Sequence, residues 1–364
     1  MGALTAYGAG AERQRAAILA QEDAFRPLGE LLGGSNVHAA RPGAWIEDRA
    51  SLINRKWSPA TMAALRVARQ AVEQAGWTPD ECRDAALLVG TSRGNAAGWL
   101  EAWPGRRPFK LMAASNTMHG ESVSAISIEL GIAGPNHVLA TGCAAGLDAL
   151  GVAMLLLRGG FATRALVVAV DLPLVTPLLD HYAAAGILSS NPRLDPYAPD
   201  ASGFVPAEGA AAMAIECGAA AGPKLLEFRS NSDACDPIGI PADGGRTPDL
   251  FAGIETPSAV CPHATGTAVQ AAADPAALAR AFGDKRPTLH LLKPYLGHAI
   301  GASGLLEAVV MAEFLRHNEL PPNRPGLHAP MGFRLPEQVT PASGPIAKLS
   351  HAMGGHNALL TLRS

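Results

Sequence analysis

The sequence predicts an α/β fold made of two similar halves, and three observations carry that prediction. Several short apolar runs lack polar alternation, which marks strands covered on both faces. These runs alternate with helical periodicity, the pattern of stacked strands and helices. Each half also closes alike: Glu208-Gly209 precedes a strand of small residues, and Gly354-Gly355-His356-Asn357 precedes another.

The elements follow in order. Ser58 reads as an N-cap, with Pro59 at the first helical position. Met62, Leu65, Val72 and Ala75 then recur on one face, and Gly76 ends the helix. Residues 85–89 form an apolar run closed by Gly90 and read as a buried strand. Residues 138–140 read the same way and lead into a turn at Thr141-Gly142. A helix over 144–157 and strands over 164–170 and 210–215 complete the first half. In the second half, 288–292 is a strand, 297–303 a glycine-rich turn, 304–315 a helix and 359–362 a last strand. The boundary falls near Gly218 to Gly222, giving halves 1–218 and 219–364. The Gly/Pro-rich stretch 233–256 reads as a surface loop.

Composition narrows the function. The 364 residues are 48% hydrophobic, enough for a large core. Net charge is -3 and no basic run stands out, which argues against a nucleic-acid partner. Cys82, Cys143, Cys217, Cys235 and Cys261 form no CxxC pair, so neither a zinc knuckle nor a disulfide framework is expected. Scattered thiols fit a reducing cytoplasm, and the Gly/Ala-rich, then charged N-terminus does not read as a signal peptide. The apolar stretch 147–175 is broken by Arg158, Gly159-Gly160, Arg164 and Asp171. Its pieces are shorter than the ~20 residues a membrane span needs.

Four fragments carry chemistry. Val138-Leu-Ala-Thr-Gly-Cys143-Ala-Ala-Gly146 places a cysteine on a sharp turn at a helix start. The positive helix end is expected to lower the thiol pKa, and the small neighbours leave room for a substrate. Alone, such a cysteine is more often a buried structural thiol. Cys261-Pro-His263-Ala-Thr-Gly-Thr267 sets a histidine among small and hydroxyl residues, where a neutral imidazole can donate to an oxyanion. Lys293-Pro-Tyr-Leu-Gly-His298-Ala-Ile-Gly-Ala-Ser-Gly304 puts a lysine at a strand end, five residues before a histidine crowded by glycines. Ser350-His-Ala-Met353-Gly354-Gly355-His-Asn357 brings backbone close to a site before the final strand. Taken singly, the His263 fragment reads more readily as a structural loop and the last as an ordinary tight turn, while the Lys293–His298 fragment, its histidine crowded by glycines, is the most specific.

Taken together, in order and with Gly203-Phe-Val-Pro-Ala-Glu208-Gly209 between them, they resemble the β-ketoacyl synthases of the elongating Cys-His-His type. The resemblance covers nearly the whole chain. It implies a thiolase fold, five layers stacked α-β-α-β-α from two similar halves. It implies that Cys143 accepts the acyl group and that His263 and His298 promote decarboxylation of a malonyl unit and stabilise the enolate. Lys293 would support the histidines, and Glu307 would brace the same network. The N–H groups of Cys143 and Met353, beside Gly354, would form the oxyanion hole. No cofactor and no metal is implied. The implied partner is an acyl carrier protein in acyl and malonyl forms, with Arg55 and Lys56 at its docking surface and Arg106, Arg107 and Lys110 as a second basic cluster. The implied assembly is a homodimer, or a heterodimer with a related ketosynthase-like subunit.

The sequence departs from the family's pattern in places. Ala264 stands for a glycine, Ala271 for an acidic residue, Met353 for an aromatic gate, and Ala201-Ser202 for an arginine and an acid. Met353 suggests an altered acyl pocket or order of substrate entry. The family's first strand is expected to be nearly missing, since Met1 falls where it should end. Other readings are a non-catalytic chain-length-factor-like partner, which would replace the nucleophile; a thiolase, which would place a second cysteine after Cys261; and a Cys-His-Asn condensing enzyme, which would lack His298. His119, His181, His351 and His356 read as structural, as do the other four cysteines.

Overall fold

The computed structural model describes residues 1–95, 100, 119–218 and 222–364. The strand Arg164–Asp171 shows why its interior, residues 165–170, is unbroken apolar sequence. Leu166, Val168 and Val170 pack outward into one core, with Leu65, Val67 and Ala68 of the helix Pro59–Ala75 and Ile126 of the helix Glu121–Leu130. Ala165, Val167 and Ala169 point the other way, toward Leu147 and Leu150 of the helix Ala145–Arg158 and Leu305 and Val309 of Ser303–Arg316. That second core continues to Cys261, Ile346, Ala358 and Leu360 of another sheet. The far face of the second sheet supplies Val260, Ala347, Leu349 and Leu359, which are covered by Leu278 of the helix Ala268–Phe282. Helix, sheet, paired helices, sheet and helix thus make five layers, as expected.

The two sheets share a pattern. The first runs Asn136–Leu139, Ala86–Gly90, Arg164–Asp171, Gly209–Glu216, Gly2–Thr5, with Gly8–Ala9 at the edge. The second runs Thr288–Leu289, Ala259–Cys261, Ile346–Ala352, His356–Arg363, Lys224–Ser232. In each, the first two pairings are parallel and the next two antiparallel. All first-sheet strands end by Glu216, and all second-sheet strands start at or after Lys224.

Local chemistry sets the ends. The Ser58 hydroxyl accepts from Thr61 N, and Gly76 closes that helix at φ +67°. Thr267 caps Ala268–Phe282 by accepting from Gln270 N at 3.3 Å.

One expectation is overturned. The first strand is present: Gly2–Thr5 is buried and pairs antiparallel with Ala210–Ala212. Gly2 is small because the strand lies against a helix; a Cβ there would fall 2.3 Å from Val67 O. The strand foreseen over 288–292 shrinks to Thr288–Leu289. Lys224–Ser232 and Ile346–Ala352 were not foreseen, because charged and polar residues interrupt their apolar pattern.

Candidate active site

The nucleophile turn is built by glycine. Past Asn136–Leu139 the chain reverses at Gly142, φ +62°, a conformation that favours glycine. The 3-10 turn Gly142–Ala144 then sets Cys143 just ahead of Ala145–Arg158. Thr141 Oγ1 donates to Asp148, and His356 Nε2 meets the same carboxylate at 2.8 Å. The turn is thereby tied to the final strand of the other sheet.

His298 is clamped by backbone on both sides. Its N–H donates to Val205 O at 2.8 Å, and its carbonyl accepts from Ala207 N at 3.1 Å. Both partners belong to the Gly203-to-Gly209 motif. Gly297 must be glycine here: φ is +70°, and a Cβ would sit 2.7 Å from Ala207 Cβ. The ring points Nε2 at Cys143 Sγ, 3.3 Å away, and Nδ1 at Ser303 Oγ, 3.1 Å away. Ser303 can accept from or donate to Nδ1, so it serves either imidazole tautomer.

His263 completes the group. Its ring meets His298 edge-on at 5.4 Å between centroids, and His351 at 5.6 Å. Its Nδ1 is buried with no partner among the described residues. The ligand atoms of Cys143, His263 and His298 all lie within 4.8 Å of one another. Donors of this kind also suit a zinc ion, which would occupy the nucleophile.

Charge decides the protonation states. Burial pushes the Cys143 thiol up to about 11, although Lys293 and Arg93 draw it down. The expected lowering by the helix end is therefore overturned, because desolvation of the thiolate is the larger effect. Burial, then the nearby Lys293, holds both His263 and His298 well below the usual histidine value, so both rings are neutral. A neutral Nε2 beside a protonated thiol is poised to take its proton.

Lys293 and Glu307 are brought together with the histidines. Glu307 lies between two ammonium groups, Lys293 Nζ at 2.6 Å and Lys348 Nζ at 2.7 Å, all three nearly fully buried. Burial opposes its ionisation, but the two lysines outweigh that and hold Glu307 below its usual value. Burial pulls Lys293 down. Cys261 Sγ lies 3.6 Å from the same carboxylate, and burial pushes its thiol up to about 12.

Several site residues escaped the sequence reading. Lys348 sits in Ile346–Ala352, where a lysine in an apolar run was the available signal. His351, read as structural, abuts His263 and is held by Gln270 Nε2 at 2.7 Å and by Asp274 at 3.3 Å. Asp274 also accepts from Ala264 N at 2.7 Å. It supplies a buried carboxylate one helical turn past Ala271, where the acid was missed. Asp171 accepts from Thr91 Oγ1, Ser92 N, Arg93 N and Gly301 N at 2.8–3.0 Å, joining loops of both halves.

The remaining candidates are more exposed. Met353 is 49% exposed in the turn between the last two strands, with Gly354 at φ +88° beside it. Arg55 and Lys56 are exposed; Lys56 pairs with Glu129 at 3.5 Å and lies over Trp57. Arg106, Arg107 and Lys110 lie outside the described residues. Among the described residues no helix is long and apolar enough to cross a membrane.

Comparison with known proteins agrees with this geometry. The chain is 29% identical over 344 residues to highly reducing polyketide synthase sphB of Aspergillus fumigatus, covering 84% of this chain but only 13% of that far longer protein. It is 28% identical to 3-oxoacyl-[acyl-carrier-protein] synthase 2 of Rhizobium meliloti, covering 76% and 72% of the two chains. Among solved structures, a chain of the AntDE:AntF complex, a type II PKS acyl-carrier protein with its ketosynthase, matches with TM-score 0.87 at 22% identity, over 100% of this chain and 97% of that one. The family model for the N-terminal domain of beta-ketoacyl synthase matches residues 44–221, and that for the C-terminal domain matches 253–326. Together they span more than half of the sequence, and the chain belongs to the beta-ketoacyl synthase family.

Proposed function

We propose that the protein is a ketosynthase that joins a Cys143-bound acyl group to a malonyl unit carried by an acyl carrier protein. The observation that carries this reading is the 3.3 Å contact between Cys143 Sγ and a neutral His298 Nε2, with His263 beside it. In the first half-reaction the thiol proton passes to His298 Nε2 as Sγ attacks the acyl thioester. The proton then leaves with the departing carrier thiol, and His298 returns to neutral. In the second, the bond between the malonyl methylene and its carboxylate breaks and carbon dioxide departs. The electron pair becomes an enolate, whose oxygen accepts hydrogen bonds from the two neutral imidazoles. The enolate carbon attacks the acyl carbonyl, the new carbon–carbon bond closes, and Cys143 Sγ leaves as a thiolate that takes up one proton from solvent to restore the thiol. The N–H groups of Cys143 and Met353 would hold the oxyanion in both steps.

The positive Lys293–Glu307–Lys348 cluster favours keeping the histidines uncharged, which suits donors to a developing anion. Support for the carrier as partner comes from the relatives' names and from exposed Arg55 and Lys56, whose charge complements an acidic partner. A dimer with a copy or a related subunit is supported by the edge strand Asn136–Leu139, which leaves Asn136 and His137 exposed beside the nucleophile turn. The halves 1–218 and 219–364 are read as the units of the fold, and five free cysteines suit a reducing cytoplasm.

The test is intact mass after exposure to a panel of acyl carrier proteins, beside Cys143→Ala. An acyl gain lost in the variant is expected. No gain with any acyl group would overturn the reading and favour a non-catalytic partner subunit.

A further inference from the structure

Beside the nucleophile lies a polar pair that the condensation leaves unused. Arg93 stands on the turn after Ala86–Gly90, and its backbone is fixed by the bond from its N–H to Asp171 at 2.8 Å. Its Nε donates to Tyr182 Oη at 3.0 Å, and its guanidinium lies 5.5 Å from the centre of that ring. Tyr182 is buried in an apolar cluster with Leu174, Leu179, Leu188, Phe204 and Ile300, and Cys143 packs against this cluster. The rings run in a line: Tyr182 meets Phe204 edge-on at 5.5 Å, and Phe204 meets His298 edge-on at 5.1 Å. Arg93 and the thiol therefore border one apolar wall.

Arg93 is half-buried, and among the described residues no carboxylate pairs with its guanidinium. A cation kept beside an apolar wall is poorly suited to a purely hydrocarbon chain, because the chain would strip its water and return no acceptor. The planar fork matches carbonyl and carboxylate oxygens, to which it can donate two bonds at once. Its charge also reaches the nucleophile, since Arg93 is among the groups that draw the Cys143 thiol down. Tyr182 holds the fork by one nitrogen and leaves the others for a ligand.

We propose that Arg93, positioned by Tyr182, selects acyl chains that carry an acceptor oxygen, keto or carboxylate, within a few carbons of the thioester. This rests on the ketosynthase reading and names the substrate class for that site.

The experiment follows Cys143 acylation by intact mass, with carrier-bound thioesters in matched pairs: acetoacetyl against butyryl, and succinyl against valeryl. The expected result is faster labelling by the oxygen-bearing member, by roughly tenfold to a hundredfold, the range for a hydrogen bond to a charged group. The acetoacetyl pair reports a keto oxygen and the succinyl pair a carboxylate. Arg93→Met is expected to level the preference and Arg93→Lys to keep part of it. Tyr182→Phe retains the ring and the cluster, and is expected to weaken the preference without abolishing labelling. Equal rates within both pairs in the unaltered protein overturn the inference while the ketosynthase reading stands, as does a preference that survives Arg93→Met. If no thioester labels Cys143, the ketosynthase reading fails and this inference falls with it.

Discussion

Two turns occupy matching places in the two sheets and do different work. After Asn136–Leu139 the chain makes the 3-10 turn Gly142–Ala144 and enters Ala145–Arg158. After Thr288–Leu289 it reaches the 3-10 turn Ile300–Ala302 and enters Ser303–Arg316. Each turn opens on a residue at positive φ, Gly142 at +62° and Ile300 at +45°. Each docks on the strand end of the other half: a Cβ on Gly142 would meet Ala352 Cβ at 3.2 Å, and Gly301 N donates to Asp171 at 2.8 Å. The first turn carries no side chain at that position, where Ala352 lies close. The second fills it with a branched side chain that walls the apolar cluster. One backbone design thus yields a bare turn that carries the thiol and a packed turn that supports the apolar cluster.

The paired helices differ as well, and there the largest effect is expected. Four residues into Ala145–Arg158 stands Ala149, whereas four residues into Ser303–Arg316 stands Glu307, between two buried lysines. Glu307→Gln leaves two ammonium groups buried without an anion and is expected to cost about 3–5 kcal/mol in chemical denaturation. Lys348→Met leaves a one-to-one pair but strips a donor from Pro262 O and Leu349 O, and is expected to cost less, about 1–3 kcal/mol. Equal costs would show that the second half is not short of negative charge, and the asymmetry argued here would fail.

Asp171 offers a way to uncouple the halves. Its carboxylate takes four donors, three from the loop after Ala86–Gly90 and one from Gly301. Asp171→Asn supplies one acceptor oxygen and turns an amide N–H toward a donor. The expected loss is about 2–4 kcal/mol, from unsatisfied buried groups. Hydrogen exchange should locate it at Gly301 and at Ser92 and Arg93 together. Protection lost in only one loop would mean that the two turns do not depend on each other.

The same comparison explains what could be read from the sequence. Strands covered on both faces, such as Arg164–Asp171, announce themselves by unbroken apolar residues, and Ser58, Pro59 and Gly76 mark a helix through local capping chemistry. The cysteine, the two histidines and Lys293 were legible because glycines crowd them into short fragments, whereas Glu307 came only with the family resemblance. Lys348, His351 and Asp274 were not, since each acts through a partner distant in sequence: Glu307, His263 and His351. Gly2–Thr5 was missed for a related reason, as four residues, Gly-Ala-Leu-Thr, carry too little pattern until a partner strand buries them. The thiol pKa was misjudged because a turn shows in sequence and the desolvation around it does not.

The smallest expected effects separate the two turns most finely. Gly142→Ala forces a side chain into positive φ, at about 1–2 kcal/mol, and pushes a methyl against Ala352. It is expected to slow acylation of Cys143 more than its stability cost suggests, because the added methyl sits one residue from the thiol. Ile300→Gly relieves a comparable strain but empties a buried site among Leu179, Phe204 and Tyr182. Loss of that packing exceeds the relief, so a net cost of about 1–3 kcal/mol is expected, with acylation changed by no more than the fraction unfolded. Ile300→Val keeps the branch and the strain and should cost about 1 kcal/mol. If Ile300→Gly instead stabilised the protein, strain would outweigh packing in the second turn. It would then resemble the first in energetics as well as in backbone.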